Sequence, residues 1–392
     1  MSRVAVLGGG PAGSMAAAKL ARAGMRVTLL DEKLAWEKPC GGGLTYKAYS
    51  QYPFLIHNDA PKRSISRTCL SSERVGSATL ELTRPLLIYA RYELNKLLLE
   101  RAESAGVQIE KTRVTGLERS DGRWRLQTPT GSLDTDFCVI ATGARNALKD
   151  VGTQWSAGNK MVALGYFIPV DRAQVDIHFF PGMAGYIWVF PRNGHLSAGI
   201  CAKGHTAQDL RRKLEKYLAD RDIPIRDATF YAHVIPSLEK PEWRSNRVAG
   251  QGWMAVGDAA GLVDPVTGEG LYYAIRSADL AADALLGDTA APADAYRAAL
   301  HREFLEEMEL ASRLAGRLYF GKFLYGHVPS RMIQFMRRSP TFCHILQDLF
   351  AGTQGYLNLK ARLLASVNGT LKDMLMARYF RGVVPAAPSA DS

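Results

Sequence analysis

Arg3-Val4-Ala5-Val6-Leu7-Gly8-Gly9-Gly10-Pro11-Ala12-Gly13, followed by an alanine-rich run to Ala23 and by Arg26-Val27-Thr28-Leu29-Leu30-Asp31, decides the fold. The apolar runs 3–7 and 26–30 predict strands, and 11–23 predicts a helix between them. That is one βαβ unit, with parallel strands buried on both faces. Gly8, Gly10 and Gly13 match GxGxxG at the strand-to-helix turn, the context that gives the motif its meaning. Gly8 makes the tight turn, Gly10 lets backbone approach a pyrophosphate, and Gly13 lets helix and strand pack closely. The helix start, with Pro11 and Ala12, offers free N–H groups and positive potential to phosphates. Asp31 closes the second strand, and with Glu32 it is placed to accept hydrogen bonds from a ribose. A dinucleotide site follows.

The rest of the chain bounds what surrounds that site. At 392 residues it exceeds one ordinary domain. With 47% hydrophobic and 22% charged residues it can build a core. The longest apolar candidate, 161–170, is strand-sized and far from the ~18 residues of a membrane span. Ser2-Arg3 is followed by only four apolar residues before the glycines, so no signal peptide is read. The five cysteines, at 40, 69, 138, 201 and 343, are odd in number and scattered. They argue against a disulfide framework, a metal site and an iron–sulfur cluster, and a cytoplasmic setting is expected.

Strand-like segments at 161–170, 174–180, 186–192, 195–203 and 229–235, separated by Pro, Gly or Asn, predict an antiparallel sheet interrupted by a helix over 206–219. From about Asp294 the pattern is helical, punctuated by Gly326, Pro329, Pro340 and Gly352. The expected fold class is α/β: a Rossmann-like domain with a parallel sheet, an antiparallel-sheet substrate domain and a helical C-terminal region. The boundaries read as 1–60, 85–150 and 248–300 for the first, 61–84 and 151–247 for the second, and 301–384 for the third. The polar end, 385–392, is expected to be disordered.

A second motif names the cofactor. Trp253-Met254-Ala255-Val256 is a strand running into Gly257-Asp258-Ala259-Ala260-Gly261, then Pro265, Gly268-Glu269-Gly270 and a helix beginning near Leu271. This resembles the second FAD fingerprint of glutathione-reductase-like flavoproteins, most closely their aromatic-hydroxylase branch. The resemblance implies that Asp258 binds the ribityl chain and that the segment after Pro265 lies along the flavin. Amides near Gly268 and Gly270 at a helix start would stabilise negative charge there. Arg91, in Tyr89-Ala90-Arg91-Tyr92-Glu93-Leu94, matches the family's R-x-x-L helix start, implying contact with the FAD linker. The Asp-Gly pair that such hydroxylases use toward FAD and NADPH is absent; Ala141-Thr142-Gly143-Ala144 stands in its place.

Lys38-Pro39-Cys40-Gly41-Gly42-Gly43-Leu44 and Tyr186-Ile187-Trp188-Val189-Phe190-Pro191, with both FAD motifs, resemble the geranylgeranyl reductase family. Its members hydrogenate isolated double bonds of prenyl chains on lipids, pigment precursors and quinones. The resemblance spans about residues 1–300; the family's proline three residues before the Tyr is Met183 here, with Pro181 nearby. It implies FAD as the cofactor, NAD(P)H or ferredoxin as the reductant and a hydrophobic prenyl substrate. Strand alternation puts Tyr186, Trp188 and Phe190 on one side as a wall for an apolar chain, with Ile187 and Val189 on the other. Cys40, in a glycine loop read as open and too flexible to be chosen for packing, is the catalytic candidate, and Gly41 and Gly42 join it at the cofactor.

A flavin monooxygenase or halogenase of the same fold is the rival reading, weakened by the missing Asp-Gly and by the Cys-Gly-Gly-Gly loop. An electron-transfer flavoprotein with a cluster is excluded because the C-terminal segment holds a single cysteine, Cys343. The net charge is +11, and residues 311–392 carry eleven Lys or Arg against three Asp. That excess, at Arg313, Arg317, Lys322, Arg331, Arg337, Arg338, Lys360, Arg362, Lys372, Arg378 and Arg381, is expected to meet an anionic membrane surface peripherally or an acidic redox partner. No nucleic-acid signature accompanies it.

Overall fold

A computed structural model describes residues 2–366 except 121 and 324, and residue 369. Two sheets organise it. The first has six strands in the order 249–250, 253–255, 137–140, 3–7, 26–30, 108–110, and all its pairings are parallel except the outermost hairpin. Val4 to Leu7 and Phe137 to Ile140 are buried throughout, as apolar runs in a sheet covered on both faces must be. The helix Pro11–Arg22 packs on this sheet against the helices Arg91–Glu103 and Leu271–Leu286. Its alanines allow the close approach, and Ala16 and Ala17 are fully buried.

The second sheet has eight strands in the order 229–236, 160–168, 195–202, 185–192, 175–179, 62–72, 76–89, 43–44. Three features depart from the sequence reading. One pair, Val175–Phe179 with Lys62–Ser72, is parallel. The strand Gly76–Tyr89 runs unbroken through the boundary drawn at residue 85. The Cys-Gly-Gly-Gly loop ends in a short strand, Gly43–Leu44, on the sheet's edge, paired with Leu87 and Ile88. A separate three-stranded sheet, 116–135, had no periodicity strong enough to announce it.

The helix Ala207–Ala219 starts at Thr206, whose hydroxyl accepts the Asp209 N–H. Its Leu210, Leu214 and Leu218 cover Ile187 and Val189 on one face of the second sheet. The opposite face is partly covered by the C-terminal helices, where Ile333, Met336 and Leu346 pack on Ile65, Leu80 and Leu86. Those helices are Glu306–Phe320, Val328–Met336, Pro340–Ala351 and Leu359–Ala365. The region is not purely helical, because a two-stranded hairpin, 322–327, joins the first two. Among the described residues no helix is long and apolar enough to cross a membrane. The tail 385–392, and Lys372, Arg378 and Arg381, lie outside the described residues.

The helix Pro292–Leu300 is tied to the first sheet by Tyr296, fully buried, whose hydroxyl donates to the Ala255 carbonyl at 2.7 Å. Tyr296→Phe removes one buried hydrogen bond and should cost about 1 kcal/mol. A lower thermal unfolding midpoint with the secondary structure unchanged by circular dichroism is the expected result.

Candidate active site

One cleft of about 1810 Å³ runs from the start of the first helix to the C-terminal helices. Gly8, Gly10, Pro11 and Ala12 line one end, together with Asp31, Glu32, Arg91, Ala141, Thr142 and Gly143. Asp258, Gly268, Glu269, Gly270 and Leu271 line its middle, facing Cys40, Gly41, Gly42, Tyr186, Trp188 and Phe190. Gly13, Gly257 and Pro265 do not reach the cleft; they are buried behind it. A Cβ on Gly13 would sit 1.8 Å from the Gly8 carbonyl oxygen, so the residue is there for helix–strand contact.

The cradle fits a dinucleotide. Space beside Gly10 is open, with no atom within 4 Å of where a side chain would begin. Arg91 is only 3% exposed, yet its Nε has no partner, while one terminal nitrogen donates to Asn95. A buried guanidinium donor left unpaired on a cleft wall suits an anionic or polar ligand group. Asp31 behaves differently from a free ribose acceptor. Its carboxylate takes N–H bonds from Gly9, Lys33 and Leu34, each at 2.7 Å. Three of about four acceptor positions are thereby used, and holding the loop is its first task.

Asp258 has a partner that the sequence did not announce. Lys38 Nζ lies 3.1 Å from its carboxylate. Burial alone would raise the Asp258 carboxyl, but Lys38, with Arg91 and His233, brings it below the usual range. His233 faces the same charges and is pushed down to about 4, by burial first and then by Lys38. Lys38 was within reach of sequence reading as the first residue of the Cys40 motif, but its partner lies 220 residues away.

The Cys-Gly-Gly-Gly loop is held rather than flexible. Gly42 has φ +85°, and a Cβ there would sit 2.0 Å from the Tyr89 carbonyl oxygen. Phe190 packs under Gly41 and Gly43. The Cys40 carbonyl accepts from Ser197 Oγ at 2.7 Å and from Arg192, and the Cys40 sulfur accepts the Gly42 N–H at 3.3 Å. Arg192 is fully buried, donates also to the Gly41 carbonyl, and forms an ion pair with Glu37. The Glu37 carboxylate in turn accepts the N–H groups of Arg91 and Tyr92, at 2.9 and 3.0 Å, and so caps a helix whose own N-cap, Ala90, has no side chain to do it. Neither Glu37 nor Arg192 stood out in the sequence, since nothing local distinguishes them.

On the facing side the Tyr186 hydroxyl donates to the Thr267 carbonyl at 2.6 Å, tying the aromatic strand to the loop 264–270. Asp264 holds that loop through the N–H groups of Val266 and Thr267, and Tyr356 donates to its other oxygen at 2.8 Å. Glu269 accepts from Thr45 at 3.1 Å. Burial, and then the charge of Asp264, push its carboxyl up to about 7 against the pull of Thr45 and Lys47.

With this geometry in place the chain can be set beside known proteins. Residues 2–154 match the family model described as pyridine nucleotide-disulphide oxidoreductase. The chloroplastic geranylgeranyl diphosphate reductase of Oryza sativa subsp. japonica is 29% identical, over 74% of this chain and 67% of its own. The menaquinone reductase of Mycobacterium tuberculosis is 29% identical, over 82% and 85%. A geranylgeranyl bacteriochlorophyll reductase-like structure from Thermoplasma acidophilum superposes with a TM-score of 0.76, at 20% identity, over 93% of this chain and 99% of that one. The chain is an FAD-dependent oxidoreductase related to the geranylgeranyl reductases. In this flavoprotein the residues suited to hold FAD are those of the cradle, Arg91 and the Lys38–Asp258 pair, with the amides of Gly268 and Gly270 beyond them.

Two predictions follow from the site's electrostatics. Glu37→Ala leaves the Arg192 charge buried and unpaired and should cost about 3–5 kcal/mol. Adding Arg192→Met should recover part of that loss in urea unfolding; a single variant as stable as the wild type would mean the pair is not a clamp. Glu269, with its folded value raised, stabilises the fold in its neutral form. Its contribution is complete below the ordinary carboxylate range and is lost as pH rises from about 4.5 to about 7. Glu269→Gln should flatten that part of the apoprotein's stability–pH curve.

Proposed function

We propose that this flavoprotein hydrogenates C=C bonds of a prenyl chain carried on a lipid, quinone, diphosphate or pigment precursor. The observation that carries the reading is the continuity of the cleft. Beyond the aromatic wall it is lined by Leu70, Leu86, Ile177 and Phe179 from the sheet, and by Leu314, Met332, Phe342 and Leu346 from the C-terminal helices. A long, mostly apolar chamber reached from a dinucleotide cradle suits a flexible hydrocarbon better than a compact aromatic substrate. The likeness to a geranylgeranyl diphosphate reductase and a menaquinone reductase, both named for prenyl-bearing substrates, supports the same class.

When bound and reduced by an external electron donor, FAD would supply a hydride equivalent, and a C=C bond is saturated when that hydride and one proton add across it. The chain's residues have the remaining work. Tyr186, Trp188 and Phe190 form the wall that keeps water from the reacting bond. Among the groups on the cleft that can hold a proton are the Cys40 thiol, fixed through its own carbonyl and the Gly42 N–H, and the Glu269 carboxyl, which keeps its proton close to neutral pH. A thiol is too weak an acid to protonate an isolated alkene unaided. Proton delivery must therefore be nearly concerted with reduction, which requires the donor to be as rigidly placed as Cys40 is. For the electron source we infer NAD(P)H or an acidic ferredoxin; anaerobic flavin bleaching by each in turn distinguishes them.

The reading is tested by incubating chemically reduced protein with prenyl lipids and following mass gains of two hydrogens per bond. Cys40→Ser should slow that gain at least ten-fold with FAD content and flavin reduction unchanged. No mass gain with any prenyl lipid by the wild type would overturn the reading, and equal turnover in the variant would reduce Cys40 to a loop residue.

A further inference from the structure

The cleft reaches the surface through the C-terminal region, and its rim there is unlike the rest of the molecule. Phe323, on the hairpin 322–327, lines the cleft and is 51% exposed; Leu364, on the helix Leu359–Ala365, lines it and is 63% exposed. Tyr325, at the hairpin's turn, is completely exposed, and Phe320 just before it is 58% exposed. Large apolar side chains scattered singly over a surface need no explanation. These are grouped on the elements that frame one opening, and a folded chain that presents such a group to water has a partner for it.

Charge identifies the partner. Arg317, Lys322 and Lys360 are exposed on the same rim and line the same cleft. Among the described residues no hydrogen bond or ion pair engages their side chains. The segment 311–366 holds eight Lys or Arg and one acidic residue, Asp348, which is already paired with Arg362. An acidic protein would satisfy the cations but would leave Phe323, Tyr325 and Leu364 in contact with polar surface. Water solvates the cations but leaves the grouped apolar side chains exposed. An anionic bilayer satisfies both: headgroup phosphates meet the cations while the aromatic and leucine side chains enter the acyl boundary.

We propose that the hairpin 322–327 and the helix Leu359–Ala365 dock this flavoprotein on an anionic lipid bilayer, so that the cleft opens into the lipid phase rather than into water. The docking rests on the surface itself. The corollary, that a prenyl chain slides from the bilayer into the cleft without crossing water, rests on the reading of the substrate given above.

Flotation of the FAD-loaded, full-length protein with vesicles of phosphatidylcholine alone, and of phosphatidylcholine with phosphatidylglycerol, tests the docking. No substrate is present, so its outcome is independent of whether any double bond is reduced. Binding is expected with the anionic vesicles and should weaken as salt rises. Lys322→Gln with Lys360→Gln should lower the partition about 25-fold, at about five-fold for each charge. Phe323→Ser with Tyr325→Ser should lower it about ten-fold or more while the salt dependence persists. Both pairs of positions are exposed, and unchanged flavin absorbance and unfolding midpoints check that the variants are folded. Wild-type protein that ignores anionic vesicles at low ionic strength overturns the proposal. Variants that bind as the wild type does, or salt-sensitive capture by an acidic ferredoxin with no vesicle binding, overturn it as well.

Discussion

A single buried cation holds the two halves of the site in register. Arg192 ends the strand that carries Tyr186, Trp188 and Phe190, and no part of it reaches solvent. Its guanidinium contacts the Glu37 carboxylate and the carbonyls of Cys40 and Gly41. A charge taken out of water survives only with such company, because desolvation costs several kcal/mol per ion unless paired geometry offsets it. The consequence is rigidity in three directions. The second sheet is fixed to the Cys40 loop, the loop to Glu37, and Glu37 to the start of the helix Arg91–Glu103, which presents Arg91 to the cleft.

The glycines of the Cys40 loop take their meaning from that clamp. Phe190 fills the space where side chains at 41 and 43 would go, and Tyr89 fills the space at 42. A loop that looks permissive in sequence is thereby a close-packed strip between an aromatic ring and a backbone carbonyl. On the other side of the aromatic wall Tyr186 is bonded to Thr267, so the same strand also steadies the loop that carries Glu269. Trp188 lies between them, its ring against Gly199 of the neighbouring strand.

Within this frame two carboxylates share one cleft and behave oppositely. Asp258 is kept charged by Lys38, while Glu269, with Asp264 as its neighbour and a weaker set of compensating partners, holds its proton. Neighbouring acids separated in this way are a common route to having both a binding anion and a proton source at neutral pH. The polar end of the cleft and its apolar chamber are therefore divided by charge as well as by shape. The C-terminal region closes the division: Glu307 accepts the N–H of Tyr356 at 2.6 Å, and Tyr356 reaches Asp264.

Local chemistry in the sequence determined the βαβ unit, the glycine turn and the second fingerprint. Each depends on residues within about thirty positions of one another, and their constraints, a missing Cβ or an apolar period, are visible in one dimension. The alternation of Tyr186, Trp188 and Phe190 against Ile187 and Val189 was legible for the same reason, and Ile187 and Val189 do face the helix Ala207–Ala219. What remained hidden were pairings across the chain. Lys38 with Asp258, Glu37 with Arg192 and Tyr356 with Asp264 are ordinary residues until the fold removes water from around them. The parallel pairing of Val175–Phe179 with Lys62–Ser72, and the hairpin 322–327 on the cleft's rim, were likewise decided only in three dimensions. Strand order and surface neighbours are set by which faces can be buried together, and no local pattern encodes that.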